Sequence, residues 1–113
     1  MKLCIVLPTY NRRELLRATL NQLEEQRTSL SGVDSRIVVV VDGSTDGTQE
    51  MLERDFPDIH MVTGDGSWFY TRSMNEGFRY AQKFSPDYVL ALNDDVVLDE
   101  GYLGKMIASS ALV

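Results

Sequence analysis

Two adjacent carboxylates are the residues of this chain best placed to do chemistry. The apolar run Tyr88-Val89-Leu90-Ala91-Leu92 stops at Asn93-Asp94-Asp95 and resumes with Val96-Val97-Leu98. A run of that content reads as a strand buried on both faces, which leaves the acids at its carboxyl end. In an open α/β sheet that edge is where ligands bind. Side by side there, two carboxylates repel each other unless a cation or protons sit between them. A hard divalent ion, Mg²⁺ or Mn²⁺, suits oxygen-only ligation, and no Cys or His lies nearby to suit zinc. The competing reading is an acidic turn that caps the next helix, since Asp pairs are common in turns.

The elements that must position these acids follow from the hydrophobic pattern. Residues 3–7 form a first strand, and Asn11 with Glu14 three residues later looks like a capping box opening a helix that carries Leu16, Leu20 and Leu23. A β-branched second strand covers residues 36–41. Asp42-Gly43-Ser44-Thr45-Asp46-Gly47 then turns into a helix over about residues 46–54 that ends before Pro57. Residues 59–63 form a third strand, and after Gly64-Asp65-Gly66-Ser67 a helix through Met74, Phe78 and Ala81 leads to the fourth. A last helix is expected over residues 99–110. This βαβαβαβ order predicts a three-layer αβα, Rossmann-like α/β fold with a mainly parallel sheet and right-handed crossovers.

With that topology, Thr9-Tyr10-Asn11, Asp42-Gly43-Ser44, Gly64-Asp65-Gly66 and Asn93-Asp94-Asp95 all meet at one sheet edge. The convergence is stronger evidence for a site than any single motif, because structure alone does not require acids and glycines at carboxyl ends.

Composition narrows the partners. The chain has 113 residues, enough for one domain, and its 43% hydrophobic content suffices for a core. Seventeen acids against eleven bases give a net charge of −6, which argues against a nucleic-acid partner. The one cysteine, Cys4, has no intrachain disulfide partner, which fits a reducing, cytoplasmic setting. The apolar start is too short for a signal h-region, and no run is long enough for a membrane helix. Association with the inner face of a membrane stays open.

Taken together, Val6-Leu7-Pro8-Thr9-Tyr10-Asn11, Val39-Val40-Val41-Asp42-Gly43-Ser44-Thr45-Asp46-Gly47-Thr48, Met74-Asn75-Glu76-Gly77 and Leu92-Asn93-Asp94-Asp95 resemble the family 2 glycosyltransferases in order and spacing. The aromatic loop Gly64-Asp65-Gly66-Ser67-Trp68-Phe69-Tyr70 is similar to a rhamnosyltransferase-like branch. The resemblance covers essentially the whole chain. It implies the nucleotide-sugar half of a GT-A fold, with strand one beside strand four and Thr9 and Asp95 across a switch point.

The resemblance further implies a nucleotide-sugar site of Thr9, Tyr10, Asp42, Arg72 and Asp94, with the divalent ion on Asp95 and Asp94. Thr9 and Tyr10 would face the nucleobase and ribose, and Asp42 would accept the imide N–H of uracil or thymine, favouring a UDP- or dTDP-sugar. Other readings compete: Tyr10 covering the first helix, Asp42 stabilising its own turn, and Arg72 either reaching the diphosphate or Asp42, or standing as a solvated charge. Val41 stands where the family commonly has the first of two acids. Asn75 and Gly77 match the family's Asn-x-Gly, with Gly77 permitting close packing beneath the donor. Trp68, Phe69 and Tyr70 either line the sugar site or belong to the core. His60 is expected to be a packed histidine without chemistry.

The implied reaction is sugar transfer from a nucleoside diphosphate to a hydroxyl of a carbohydrate or lipid-linked acceptor. Family members supply the base from the later half of the domain. Residues 1–113 are therefore expected to be a single donor-binding portion that stops before the acceptor-binding part, with an unpaired sheet edge that favours homo-oligomerisation. A noncatalytic nucleotide-binding module and a nucleotidyltransferase are the alternatives. The latter is disfavoured because no Gly-rich, Lys-bearing loop follows strand one. A phosphoacceptor receiver domain would need its acids after strand one, and a dehydrogenase would need a third glycine after Gly64-Asp65-Gly66.

Overall fold

The computed structural model describes residues 1–111. Its elements run β1 (Lys2–Thr9), α1 (Arg13–Thr28), β2 (Asp34–Asp42), α2 (Thr48–Asp55), β3 (His60–Gly64), α3 (Phe69–Ala81), a 3₁₀ turn (Gln82–Phe84), β4 (Tyr88–Ala91) and α4 (Tyr102–Ala111). The β-branched runs that favour strands form a four-stranded sheet in the order β3-β2-β1-β4. Every pairing is parallel.

Strand alternation sends side chains to two faces, and both are covered. On one face Leu3, Ile5, Leu7, Ile37, Val39 and Val41 cluster with Leu16, Leu20 and Leu23 of α1, Met51 and Leu52 of α2, and Leu103 of α4. On the other, Cys4, Val6, Val38 and Val40 meet Met74 and Ala81 of α3. The result is the expected αβα sandwich. Gly77 sets its spacing, because a Cβ there would lie 2.5 Å from Val6 Cγ1 and 3.0 Å from Val40 Cγ2. Burial pushes the Cys4 thiol up to about 11, with the charge of Arg36 opposing, so it is an inert core side chain. His60 packs 4.7 Å from the Phe84 ring and faces Tyr80, as a packed histidine would. Burial, and then the charge of Arg36, holds its pKa below the ordinary value.

Two expectations are corrected. The apolar content of β4 predicts burial on both faces, yet Tyr88 and Val89 are exposed, because the strand order makes β4 the sheet edge beside β1. Its inward residues Leu90 and Leu92 still pack on the α1 side. Asn11 does not cap α1. The cap position is Arg12, with no side-chain cap bond, and Asn11 lies at φ 51°. Instead, its Oδ1 accepts the Thr45 N–H at 2.7 Å, and its own N–H donates to Ser44 Oγ at 3.0 Å. The first-turn N–H of α1 is satisfied from the neighbouring loop: Arg13 N–H donates to Asp46 Oδ2 at 2.9 Å. The loops after β1 and β2 are thereby stapled together.

Candidate functional site

The end of β4 is held from beneath by one stripe of α1. The Thr19 hydroxyl donates to the Asp94 carbonyl at 3.0 Å. One turn on, Gln22 donates to the Val96 carbonyl at 3.1 Å and accepts the Leu98 N–H at 2.7 Å. Gln26 does the same with the Asp99 carbonyl and the Leu103 N–H, both at 2.9 Å. Residues three and four apart share a helix face, so these polar side chains satisfy the irregular backbone after β4 and fix where its acids point.

Asp94 is buried and Asp95 exposed. The Thr9 hydroxyl donates to Asp94 Oδ2 at 2.8 Å, across the gap between β1 and β4. A single nitrogen of Arg12, Nη1, lies 3.3 Å from Asp94 Oδ1 and 3.1 Å from Asp95 Oδ2. Burial pushes the Asp94 carboxyl above the ordinary carboxylate range, and the charge of Asp95 adds to it. The Thr9 hydrogen bond and the charge of Arg12 pull the other way.

The two acids, Asn93, Pro8, Thr9, Tyr10 and Arg12 form one side of a crevice of roughly 590 Å³, and Asp42, Gly66, Phe69, Tyr70 and Ser73 form the other. Crossovers run from β1 outward to β3 and then return past β1 to β4, so the crevice opens where the strand order reverses, the usual ligand position in such sheets. Its far wall is built by Asp42. Oδ1 accepts the Gly66 N–H and Oδ2 the Phe69 N–H, each at 2.8 Å. The loops touch there: Gly43, at φ 72°, leaves room for Gly66, whose Cα would lie 2.6 Å from a Cβ at Gly43. Phe69 is held at φ 54° with its ring exposed, and Tyr10 and Tyr70 are exposed beside it, giving the crevice an aromatic rim.

Thr9, Tyr10, Asp42, Asp94 and Asp95 therefore meet in one crevice, and Arg72 does not line it. The Arg72 guanidinium lies 4.8 Å over the Trp68 ring, on the flank of α3, because that ring offers its face at the same helix end. Trp68 itself packs against the core beneath α3, while Phe69 and Tyr70 face out. Asn75 is exposed. Thr9 meets Asp94 rather than Asp95. Sequence reasoning missed Arg12, Thr19, Gln22 and Gln26. For Arg12 the available cue was a basic residue directly after the Pro8-Thr9-Tyr10-Asn11 turn, facing the acids across the switch point.

Among the described residues no third His, Cys, Asp or Glu joins Asp94 and Asp95 in a metal-holding cluster. Two hard carboxylate oxygens already converging on one cation suit Mg²⁺ or Mn²⁺, which commonly take one or two protein carboxylates and fill their shell from water and phosphate.

A doubly wound parallel sheet with acids, aromatics and a glycine loop at its switch point defines an α/β protein whose crevice lies where such sheets hold their ligands. Residues 4–110 match the model of glycosyl transferase family 2, and the chain belongs to that family. It is 33% identical over 113 residues to validoxylamine A glucosyltransferase of Streptomyces hygroscopicus subsp. jinggangensis, covering 96% of this chain and 25% of that protein. It is 29% identical over 100 residues to poly-beta-1,6-N-acetyl-D-glucosamine synthase of Staphylococcus epidermidis, covering 84% of this chain and 22% of that protein. The chain thus spans about a quarter of the length of these curated relatives. Among solved structures it resembles the mannosyltransferase PcManGT of Pyrobaculum calidifontis in complex with GDP-Man and Mn²⁺, with TM-score 0.67 and 26% identity over 82% of this chain and 27% of that one. It also resembles residues 1–349 of S. aureus TarS, with TM-score 0.74 and 24% identity over 96% of this chain and 32% of that one. The fold is that of the GT-A glycosyltransferases.

Proposed function

We propose that the chain is the donor-binding portion of an enzyme that moves a sugar from a nucleoside diphosphate to a hydroxyl of a carbohydrate or lipid-linked acceptor. The observation that carries this reading is the pair Asp94 and Asp95, held side by side against Thr9 where the sheet order reverses. In this reading Asp95, with Asp94, holds a divalent ion. When bound, that ion supplies charge neutralisation for the departing diphosphate. The PcManGT complex with GDP-Man and Mn²⁺ supports the nucleotide-sugar and metal classes.

Tyr10 offers an exposed ring face to a nucleobase, and Thr9 fixes the acid next to it. Asp42 keeps lone pairs beyond the two that its backbone donors use, so accepting a pyrimidine imide N–H remains open to it. This favours a UDP- or dTDP-sugar. Arg72 is left out of the set because it stacks on Trp68. The base that deprotonates the acceptor is assigned to no residue of this chain. A lone buried Cys4 suits a reducing compartment, so the proposed location is cytoplasmic, at the inner membrane face where the acceptor is lipid-linked. Among the described residues no helix is long and apolar enough to cross a membrane.

Calorimetric titration with UDP-, dTDP- and GDP-sugars, each with and without Mn²⁺, tests the reading. Binding of a pyrimidine nucleotide sugar that tightens with Mn²⁺ is expected. Preference for GDP would remove the base assignment of Asp42, and no binding of any nucleotide sugar would overturn the donor-binding function.

A further inference from the structure

Arg12 is the one cation among the described residues that line the crevice, where it faces Asp42, Asp94 and Asp95. It bridges Asp94 and Asp95 through one nitrogen, rather than through the parallel two-bond fork that makes arginine–carboxylate pairs strong. Its side chain is half exposed, at 49%, as is that of Asp95, at 45%. Its backbone is fixed: the Arg12 carbonyl accepts the Leu16 N–H at 2.8 Å as α1 begins. The guanidinium can therefore swing on its own stem without disturbing the helix, and it sits against one oxygen of each acid that a divalent ion would draw on.

We propose that Arg12 is a resident counter-ion of the Asp94–Asp95 pair, which a divalent ion displaces and which then turns to the diphosphate, making metal occupancy depend on nucleotide. This rests on the donor-binding reading of the crevice. Metal entering alone competes with Arg12 for the same two carboxylates and places its own charge beside the guanidinium, a like-charge penalty that weakens its binding. A diphosphate in the same crevice gives the planar guanidinium fork two phosphate oxygens to bond at once and removes the penalty. Arg12 is thus a positioning residue that keeps the acids paired before the donor arrives.

The test titrates Mn²⁺ alone into the parent chain, Arg12→Gln and Arg12→Lys by calorimetry, with circular dichroism and thermal melting to verify folding. Arg12→Gln is expected to bind Mn²⁺ about tenfold more tightly than the parent, the scale of one partly screened charge contact. Arg12→Lys keeps a cation at the position and is expected to stay close to the parent. With Mn²⁺ saturating, UDP should bind Arg12→Gln about tenfold more weakly than the parent. If Arg12→Gln fails to fold, Arg12→Met, which preserves the apolar stem, takes its place in the same titration. A neutral variant that binds Mn²⁺ no more tightly than the parent overturns the proposal, as does an Arg12→Lys protein as tight as Arg12→Gln, or no Mn²⁺ binding in any of them. Absence of nucleotide binding in every protein would overturn the donor-binding reading instead, because the Mn²⁺ arms contain no nucleotide.

Discussion

The Thr9 hydroxyl and Asp94 Oδ2 meet at 2.8 Å although 85 residues separate them, and that bond closes the switch point of the sheet. Thr9 is 4% exposed and Asp94 6%, so neither group has ready access to water in place of the other. Thr9→Val keeps the shape and removes the donor, leaving a buried carboxylate with one partner fewer. The expected cost is about 1–3 kcal/mol, seen as a fall of several degrees in Tm. An unchanged Tm would show that the bond contributes nothing to the fold.

Asp46 gives a pH-dependent prediction. Burial alone would raise its pKa, but hydrogen bonds from the Thr48 hydroxyl and the N–H groups of Arg13 and Thr48 outweigh it and hold the carboxyl below its ordinary range. A depressed folded-state pKa means that the unfolded chain takes up the proton first as pH falls. The stabilisation is therefore complete above the ordinary carboxylate range and lost as pH drops through the folded value. Asp46→Asn should be less stable than the parent near neutral pH, by about 0.5–2 kcal/mol as for a lost helix cap, with the gap narrowing below about pH 4. Urea midpoints of the two proteins across that range check this, and a constant gap would remove the charge from the account.

The strands and their order along the chain were legible because β-branched runs such as Val38-Val39-Val40-Val41 alternate with helices marked by Leu16, Leu20 and Leu23. The meeting of Thr9, Tyr10, Asp42, Asp94 and Asp95 was legible too, since parallel topology sends every strand's carboxyl end to one edge. What escaped depends on partners far away in sequence. Asn11 looked like a helix cap because Glu14 follows at the right spacing, but the competing acceptor site at Thr45 lies 34 residues on. Arg12 is 82 residues from Asp94, and no local pattern encodes that approach. The exposure of Tyr88 and Val89 follows from the place of β4 in the sheet, which apolar content does not report.

The two acids should separate on mutation. Asp95 is exposed and, among the described residues, its carboxylate is paired only with Arg12, whereas Asp94 is buried against Thr9 and Arg12. Asp95→Ala should stay within about half a kcal/mol of the parent's stability and abolish any tightening of nucleotide binding by Mn²⁺. Asp94→Ala should lose about 1–3 kcal/mol as well as metal response, because it orphans the Thr9 hydroxyl. Melting curves and UDP affinity with and without Mn²⁺ on both variants decide it. Equal stability losses, or a metal response surviving in Asp95→Ala, would defeat this division of roles.

Asp42 carries the last prediction, and the structure changes its form. From sequence, Asp42→Asn appears harmless to folding, since Asn suits the same turn before Gly43 and Ser44. In the structure both carboxylate oxygens accept backbone N–H groups, from Gly66 and from Phe69, and the second bond holds Phe69 at φ 54°, a conformation a bulky residue rarely adopts. An Asn amide has one oxygen, so its NH₂ must face one of these donors and that N–H loses its acceptor. Asp42→Asn should therefore cost about 1–3 kcal/mol of stability, with the segment from Gly66 to Phe69 loosening first. If Asp42 also accepts the pyrimidine imide, UDP affinity falls by a further ~1–3 kcal/mol while GDP affinity changes less. A Gly66→Ala control, placed at φ 96°, strains the same loop and its N–H bond to Asp42 while keeping the carboxylate itself. Comparing UDP and GDP affinities of the two variants at matched stability separates the roles. Equal losses for both nucleotides in both variants would make Asp42 a clamp for the aromatic wall and nothing more.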